Sequence, residues 1–196
     1  MIRRLPLIPT ILVALAVATM IGLGVWQIGR AREKEAVIAR YAAAGTLPPI
    51  SYPTMPLAAD RLPLFRHATA MCLQPTGRRT APGQNRGGEP GFVHIVQCRT
   101  GAEGPGMAVQ LGWSKNPNAP IAWPGGLVSG IIAPDRDGGM RLVAASAPTG
   151  LEQSAEPSVS TIPNSHRSYA VQWFLFAGLA LLIYLLAVRQ RAKASA

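Results

Sequence analysis

The sequence predicts a membrane protein in which two transmembrane α-helices, an N- and C-terminal hairpin, flank a small antiparallel β-rich (α+β) domain. Three observations predict it. The stretches from Leu5 to Ile28 and from Tyr169 to Val188 carry no charged residue, and about 20 such residues span a hydrocarbon core. Basic residues stand just outside both runs, with Arg3 and Arg4 before the first and Arg189, Arg191 and Lys193 after the second. Between the runs, short segments of β type alternate with Gly- and Pro-rich connectors.

The first apolar run admits two readings. Arg3-Arg4 and Ala16-Val17-Ala18 resemble the basic region and cleavage site of a signal peptide. The run continues for ten residues past Ala18, however, through Ile21, Leu23, Val25 and Trp26. An uncleaved anchor accommodates that length better. Ala14, Ala18 and Gly22 recur every four residues, a spacing that lets a second helix approach closely and that Ala-rich helices also produce by chance. If the face is real, it expects the second span or a helix of another protein. After Arg32-Glu33-Lys34-Glu35 the pattern stays helical to about Ala44, and Gly45 is a stop signal.

Five strands are expected in the middle, each marked by apolar or β-branched residues. They are Leu62–Leu73, Gly91–Cys98, Met107–Trp113, Leu127–Ile132 and Met140–Ala145. Met107, Val109, Leu111 and Trp113 alternate as if on one face, which predicts a sheet with one buried side. Pro82–Pro90 and Pro117–Pro124 read as connectors. With 18 Pro and 20 Gly the domain is expected to be rich in loops.

Charge sets the expected topology. An even number of spans leaves both ends on one side, and the positive-inside rule makes that side the cytoplasm, whatever the charge of the long segment between. Residues 1–4 are then cytoplasmic, 5–28 the first span, 29–168 a periplasmic domain, 169–188 the second span and 189–196 a basic cytoplasmic tail. Four residues before the first span are too few for a mitochondrial presequence, which favours a bacterial inner membrane. The net charge of +10 includes these flanking residues. Elsewhere the basic residues are scattered without a Lys/Arg run, so no nucleic-acid partner is expected.

Cys72 and Cys98 are the two cysteines. An even count in an oxidising compartment suggests a disulfide. Alternatives are a redox-active pair, which more usually has Cys-x-x-Cys spacing, a metal site with His67 and His94, and two buried free thiols. No Gly-x-Ser-x-Gly, His-Glu-x-x-His or phosphate-cradling loop occurs. Nine acidic residues without an obvious pair offer little for acid–base work. No enzymatic activity is expected.

Two clusters remain, and the expected topology brings both to the outer membrane interface. One is Gly24-Val-Trp-Gln-Ile-Gly-Arg30, and the other is Pro163-Asn-Ser-His-Arg-Ser-Tyr-Ala-Val-Gln-Trp-Phe174. Trp26, Tyr169 and Trp173 each suit an interfacial aromatic belt. His166, Ala170 and Trp173 share a helical face, which would place an imidazole beside a small residue and a flat aromatic. Neutral imidazole is also an axial ligand of haem iron. Asn164 or Ser165 suits the cap of this helix.

These clusters resemble the Surfeit locus protein 1 family of cytochrome c oxidase assembly factors. Leu23-Gly24-x-Trp26-Gln27-x-x-Arg30-x-x-x-Lys34 is similar to its first-span signature, and Asn164-x-His166-x-x-Tyr169-Ala170-x-Gln172-Trp173-Phe174 to its second. Leu111-Gly112-Trp113 and Gly126-x-x-x-Gly130 agree with its strands more loosely. The resemblance implies a membrane-bound haem chaperone that helps place haem a in the haem-bearing oxidase subunit, with haem a synthase a candidate second partner. It implies His166 as the iron ligand, Tyr169, Trp173 and Trp26 as neighbours, and Arg30 as partner of a haem propionate. A cofactor-free assembly scaffold and a periplasmic thiol oxidoreductase are the alternative functions. Ser165, Arg167 and the residue before Gly112-Trp113 depart from the family pattern.

Overall fold

The computed structural model describes residues 6–102, 104 and 106–194. Residues 1–4 with Arg3 and Arg4, and Leu5 at the expected start of the first span, lie outside the described residues. The chain divides into two compact units, one of two helical segments reaching to Val37 and resuming at Pro163, the other Ile38–Ile162.

The helical unit is built from α1 (Leu7–Ala44) and α2 (His166–Ala194). Pro9 falls in the first turn of α1, where its missing N–H has no intrahelical acceptor in any case. The helix is 38 residues long and ends just before Gly45, ahead of Pro48-Pro49. Both helices are long and apolar enough to cross a membrane, and only 6% of the most apolar window of each is buried. That exposure argues against soluble core helices, which hide their apolar face. Leu12, Leu15, Leu175 and Leu182 instead point outward, as lipid-facing residues do.

Small residues are buried where α1 and α2 meet, and of the two partners open to the face of Ala14, Ala18 and Gly22 the second helix is not the one it meets. Gly24 and Ala31 are buried on α1, and Ala170 and Ala177 on α2. Ala14, Ala18 and Gly22 are exposed, so their face does not meet the second helix. At about 100° per residue they sit on another side of α1 from Gly24, Gln27 and Ala31.

The second unit is one seven-stranded sheet. Its strands are β1 (Ile50–Ser51), β2 (His67–Cys72), β3 (Gln74–Gln84), β4 (Pro90–Arg99), β5 (Met107–Ser114), β6 (Gly126–Pro134) and β7 (Met140–Ala144), in the order β1-β2-β6-β7-β5-β4-β3. The expected antiparallel sheet is in fact mixed, because β1 pairs parallel with β2 and β5 parallel with β7. The first expected strand shrinks to β2, since Leu64 and Phe65 leave the strand to pack in the core. The expected connector Pro82–Pro90 contains the end of β3 and the start of β4. β3 is an edge strand, where Pro75 and Pro82 remove no ladder hydrogen bond that a neighbour needs.

The one-face reading of β5 fails at a bulge. Ile95 pairs with Gln110 but His94 pairs with Gly112, leaving one extra residue on β5. An extra residue reverses the alternation beyond it. Met107, Val109 and Leu111 therefore join the main core with Val96, Ile132 and Leu142, whereas Trp113 turns to the opposite face with Val93, Ile95 and Ala108. Both faces of the sheet are covered there.

Cys72 and Cys98 are joined by a disulfide with a Cα–Cα distance of 5.3 Å. Their strands, β2 and β4, are separated in the sheet by β6, β7 and β5. In a flat sheet four strand spacings would hold them about 19 Å apart. The sheet therefore curls around the main core until its two halves meet at the cysteines.

Candidate functional site at the hairpin

The two helices are locked at one end by two side-chain pairs. Nδ1 of His166 is 2.7 Å from Oε1 of Gln27. Arg167 makes a two-pronged contact with Glu35, Nε to Oε1 at 2.7 Å and Nη2 to Oε2 at 2.9 Å. An amide oxygen only accepts, so this contact needs a proton on Nδ1, an arrangement that in a neutral imidazole leaves the lone pair on Nε2. Arg167, one of the departures from the family pattern, thus has a carboxylate partner on the first helix.

These pairs mark two sides of the hairpin. Around α2, Tyr169 and Trp173 lie within about 60° of His166, on the side away from Arg167. Around α1, Arg30 lies about 60° from Gln27, and Trp26 about 100° from it, both on the side away from Glu35. The five residues singled out by the sequence, Trp26, Arg30, His166, Tyr169 and Trp173, therefore share the Gln27–His166 side. Trp26 and Tyr169 are about half exposed, and His166 and Trp173 are partly buried. Trp173 packs edge-on against Phe176, ring centroids 6.4 Å apart. Arg30 donates from Nη1 to Oε2 of Glu33 at 2.6 Å. Oδ1 of Asn164, two residues before His166, is buried without a hydrogen-bond partner. A groove of about 380 Å³ edged by Arg32, Arg167, Val171 and Phe174 lies beside the helices, and His166 does not line it.

Gly24 has a reason to be glycine: a Cβ there would meet Phe174. Gln27 is the functional candidate that sequence reasoning passed over, although it stands inside the first-span motif. Its signal was the pairing of an acceptor in one motif with a histidine in the other.

In the sheet unit, His67 and His94 do not gather with the cysteines. No cluster of three or more His, Cys, Asp or Glu able to hold a metal occurs among the described residues. His94 is buried and its Nε2 lies 2.8 Å from Oγ of Ser114. Burial holds its pKa below the usual value, against a smaller upward pull from a backbone contact with Asn116. Asp135 is gripped by Arg79 and Arg141. Burial pushes that carboxyl up, but the bonds from Arg79 and Arg136 and the two guanidinium charges bring it below the usual carboxylate value. Cys72 and Cys98 are both 2% exposed, which shields their sulfurs from the exchange partners that a redox-active pair must meet.

Two helices long and apolar enough to cross a membrane, flanking a mixed β-sheet domain and carrying paired polar motifs at one end, suggest a membrane protein. The chain belongs to the SURF1 family, whose sequence model matches residues 14–178. That family is known for cytochrome c oxidase assembly. A comparison with curated proteins finds none that matches the chain.

Proposed function

We propose that this protein is a membrane-bound haem chaperone that assists insertion of haem a into the haem-bearing subunit of cytochrome c oxidase, without catalysing a reaction itself. The observation that carries the reading is the 2.7 Å contact between Nδ1 of His166 and Oε1 of Gln27, which anchors the ring and, in a neutral imidazole, leaves Nε2 with the lone pair an iron ligand needs. The donor set fits the group. Trp173 and Tyr169 supply flat aromatic surface on the same side. Arg30 supplies a guanidinium in an exposed pair with Glu33, which a propionate can displace because such pairs are weak. Once inside the oxidase, haem a supplies redox and oxygen chemistry; here the residues bind, orient and shield it.

The apolar windows are assigned to a bacterial inner membrane, with both termini cytoplasmic and the sheet periplasmic. Arg189, Arg191 and Lys193 after the second window support that orientation. Reporter fusions after Ala196 and within the Pro117–Pro124 loop test it; a cytoplasmic signal from the loop would refute it.

A second reading is a cofactor-free scaffold for oxidase assembly. The exposed face of Ala14, Ala18 and Gly22 favours it, since small residues turned away from α2 suit a helix of another protein. Purification from cells making haem a, followed by an optical spectrum of wild type and His166→Ala, separates the two. The chaperone reading expects a haem a spectrum that His166→Ala loses or shifts. A protein that co-purifies with oxidase subunits and never shows haem absorbance would overturn it in favour of the scaffold.

A further inference from the structure

We propose that Gln27 is the positioning residue of the site, setting which ring nitrogen of His166 is offered as a ligand. The inference rests on the reading of His166 as a haem ligand and assigns a role to a residue on the other helix. Neutral imidazole carries one N–H, and only the nitrogen without it can bind a metal. Oε1 of Gln27, 2.7 Å from Nδ1, claims that proton. Nε2 is left with the lone pair. Histidines that bind metals commonly donate their other N–H to a carbonyl or carboxylate, which fixes both tautomer and ring direction. Gln27 has the position for this. It lies between the packed contacts of Gly24 and Ala31 on α1, and His166 lies one turn from buried Ala170 on α2. Register between the helices therefore holds donor and acceptor together. Without that acceptor, the ordinary tautomer preference of histidine places the proton on Nε2, the nitrogen the ligand role requires to be bare.

An interhelical hydrogen bond with a purely structural role would also bring these two side chains together, so the test reads the proton itself. Full-length protein with ¹⁵N-labelled histidine, in detergent and without haem, gives ring-nitrogen signals for three histidines, and His166→Ala identifies the one that matters. The expected result is a protonated Nδ1 and a bare Nε2 in wild type. Gln27→Met, of similar length but without the acceptor, is expected to move the proton to Nε2, whereas Gln27→Glu keeps it on Nδ1. Titration with haem a should then show binding weakened about 10- to 100-fold in Gln27→Met and largely retained in Gln27→Glu. A wild-type His166 protonated at Nε2, or a Gln27→Met variant with unchanged tautomer and affinity, overturns the inference; haem a binding that His166→Ala abolishes would still leave His166 as a ligand, reached without help from Gln27. A wild type that has the expected tautomer and binds no haem a overturns the ligand reading, and with it the role given to Gln27. The wild-type signal decides the tautomer even where Gln27→Met fails to fold.

Discussion

The ring of Phe174 lies against the backbone of Gly24, so near that a Cβ on the glycine would stand 2.7 Å from two of its carbons. Both residues belong to the paired motifs, and the contact explains why they go together. Gly24→Ala should force the helices apart and destabilise the hairpin by about 1–3 kcal/mol, seen as a lower unfolding midpoint in detergent. Shortening the ring with Phe174→Leu should recover most of that loss. A double-mutant cycle measures the coupling, and additive effects would mean that the two residues do not touch.

Gly126 and Gly130, at the start and middle of β6, are constrained for different reasons. Gly126 has a φ of +124°, strained for any other residue, so Gly126→Ala should cost about 1–3 kcal/mol. Gly130 has an ordinary backbone, but a Cβ there would run into the carbonyl of Val143 on β7. That obstacle is backbone and cannot turn aside. Gly130→Ala should therefore be the more damaging, by about 3 kcal/mol or more. Folding yield and thermal unfolding of the two variants, compared side by side, check the ranking.

The Cys72–Cys98 bond closes a loop with a sequence separation of 26. Its removal in a double Cys→Ser variant should lower stability by about 3–4 kcal/mol on chain-entropy grounds. Reductant should lower the wild-type unfolding midpoint by a similar amount and leave the variant unmoved. An oxidase that assembles normally in cells carrying the variant would rule out thiol chemistry as the protein's function.

Two groups of the sheet unit, buried His94 and partly buried Asp135, should make its stability fall with acid in two steps. The folded-state pKa of His94 lies below its ordinary value of 6.5. The unfolded chain therefore takes up a proton first, and stability is lost as pH falls below about 6.5. Asp135 is likewise lowered from 3.8, so its share persists above that value and is lost as pH falls further. Denaturant midpoints between pH 7.5 and 3 should show both steps. His94→Gln should remove the upper step, and Asp135→Asn the lower.

Much of this architecture was readable because it rests on local signals. A charge-free run is visible without knowing what it packs against, and α1 ends where Gly45 says it should. β3 was missed because Pro75, Gly77, Pro82, Gly83 and two arginines carry no strand pattern and its end falls in the expected connector Pro82–Pro90; its place at the sheet edge makes such a strand possible. The face of Trp113 was misassigned because a bulge depends on the pairing partner and leaves no mark in the bulged strand's own pattern. The parallel pairing of β5 with β7 likewise follows from strand order, which local alternation does not encode. At the hairpin, the motifs pointed to His166. Gln27 lies 139 residues away from it, and its partnership required the register of two helices.

The curl of the sheet bears on the order in which the domain can be assembled. The residues from Cys72 to Cys98 contain β3 and most of β4, a hairpin that can pair as soon as it has been made. β5, β6 and β7, which in the finished sheet occupy the space between β2 and β4, come later in the chain. A bond between the cysteines can thus be made while the central strands are still absent, holding the two flanks together as a preformed clasp. The later strands then have a fixed frame to enter, and the search for the non-local pairings β2–β6 and β5–β7, ordinarily the slow part of building such a sheet, is shortened.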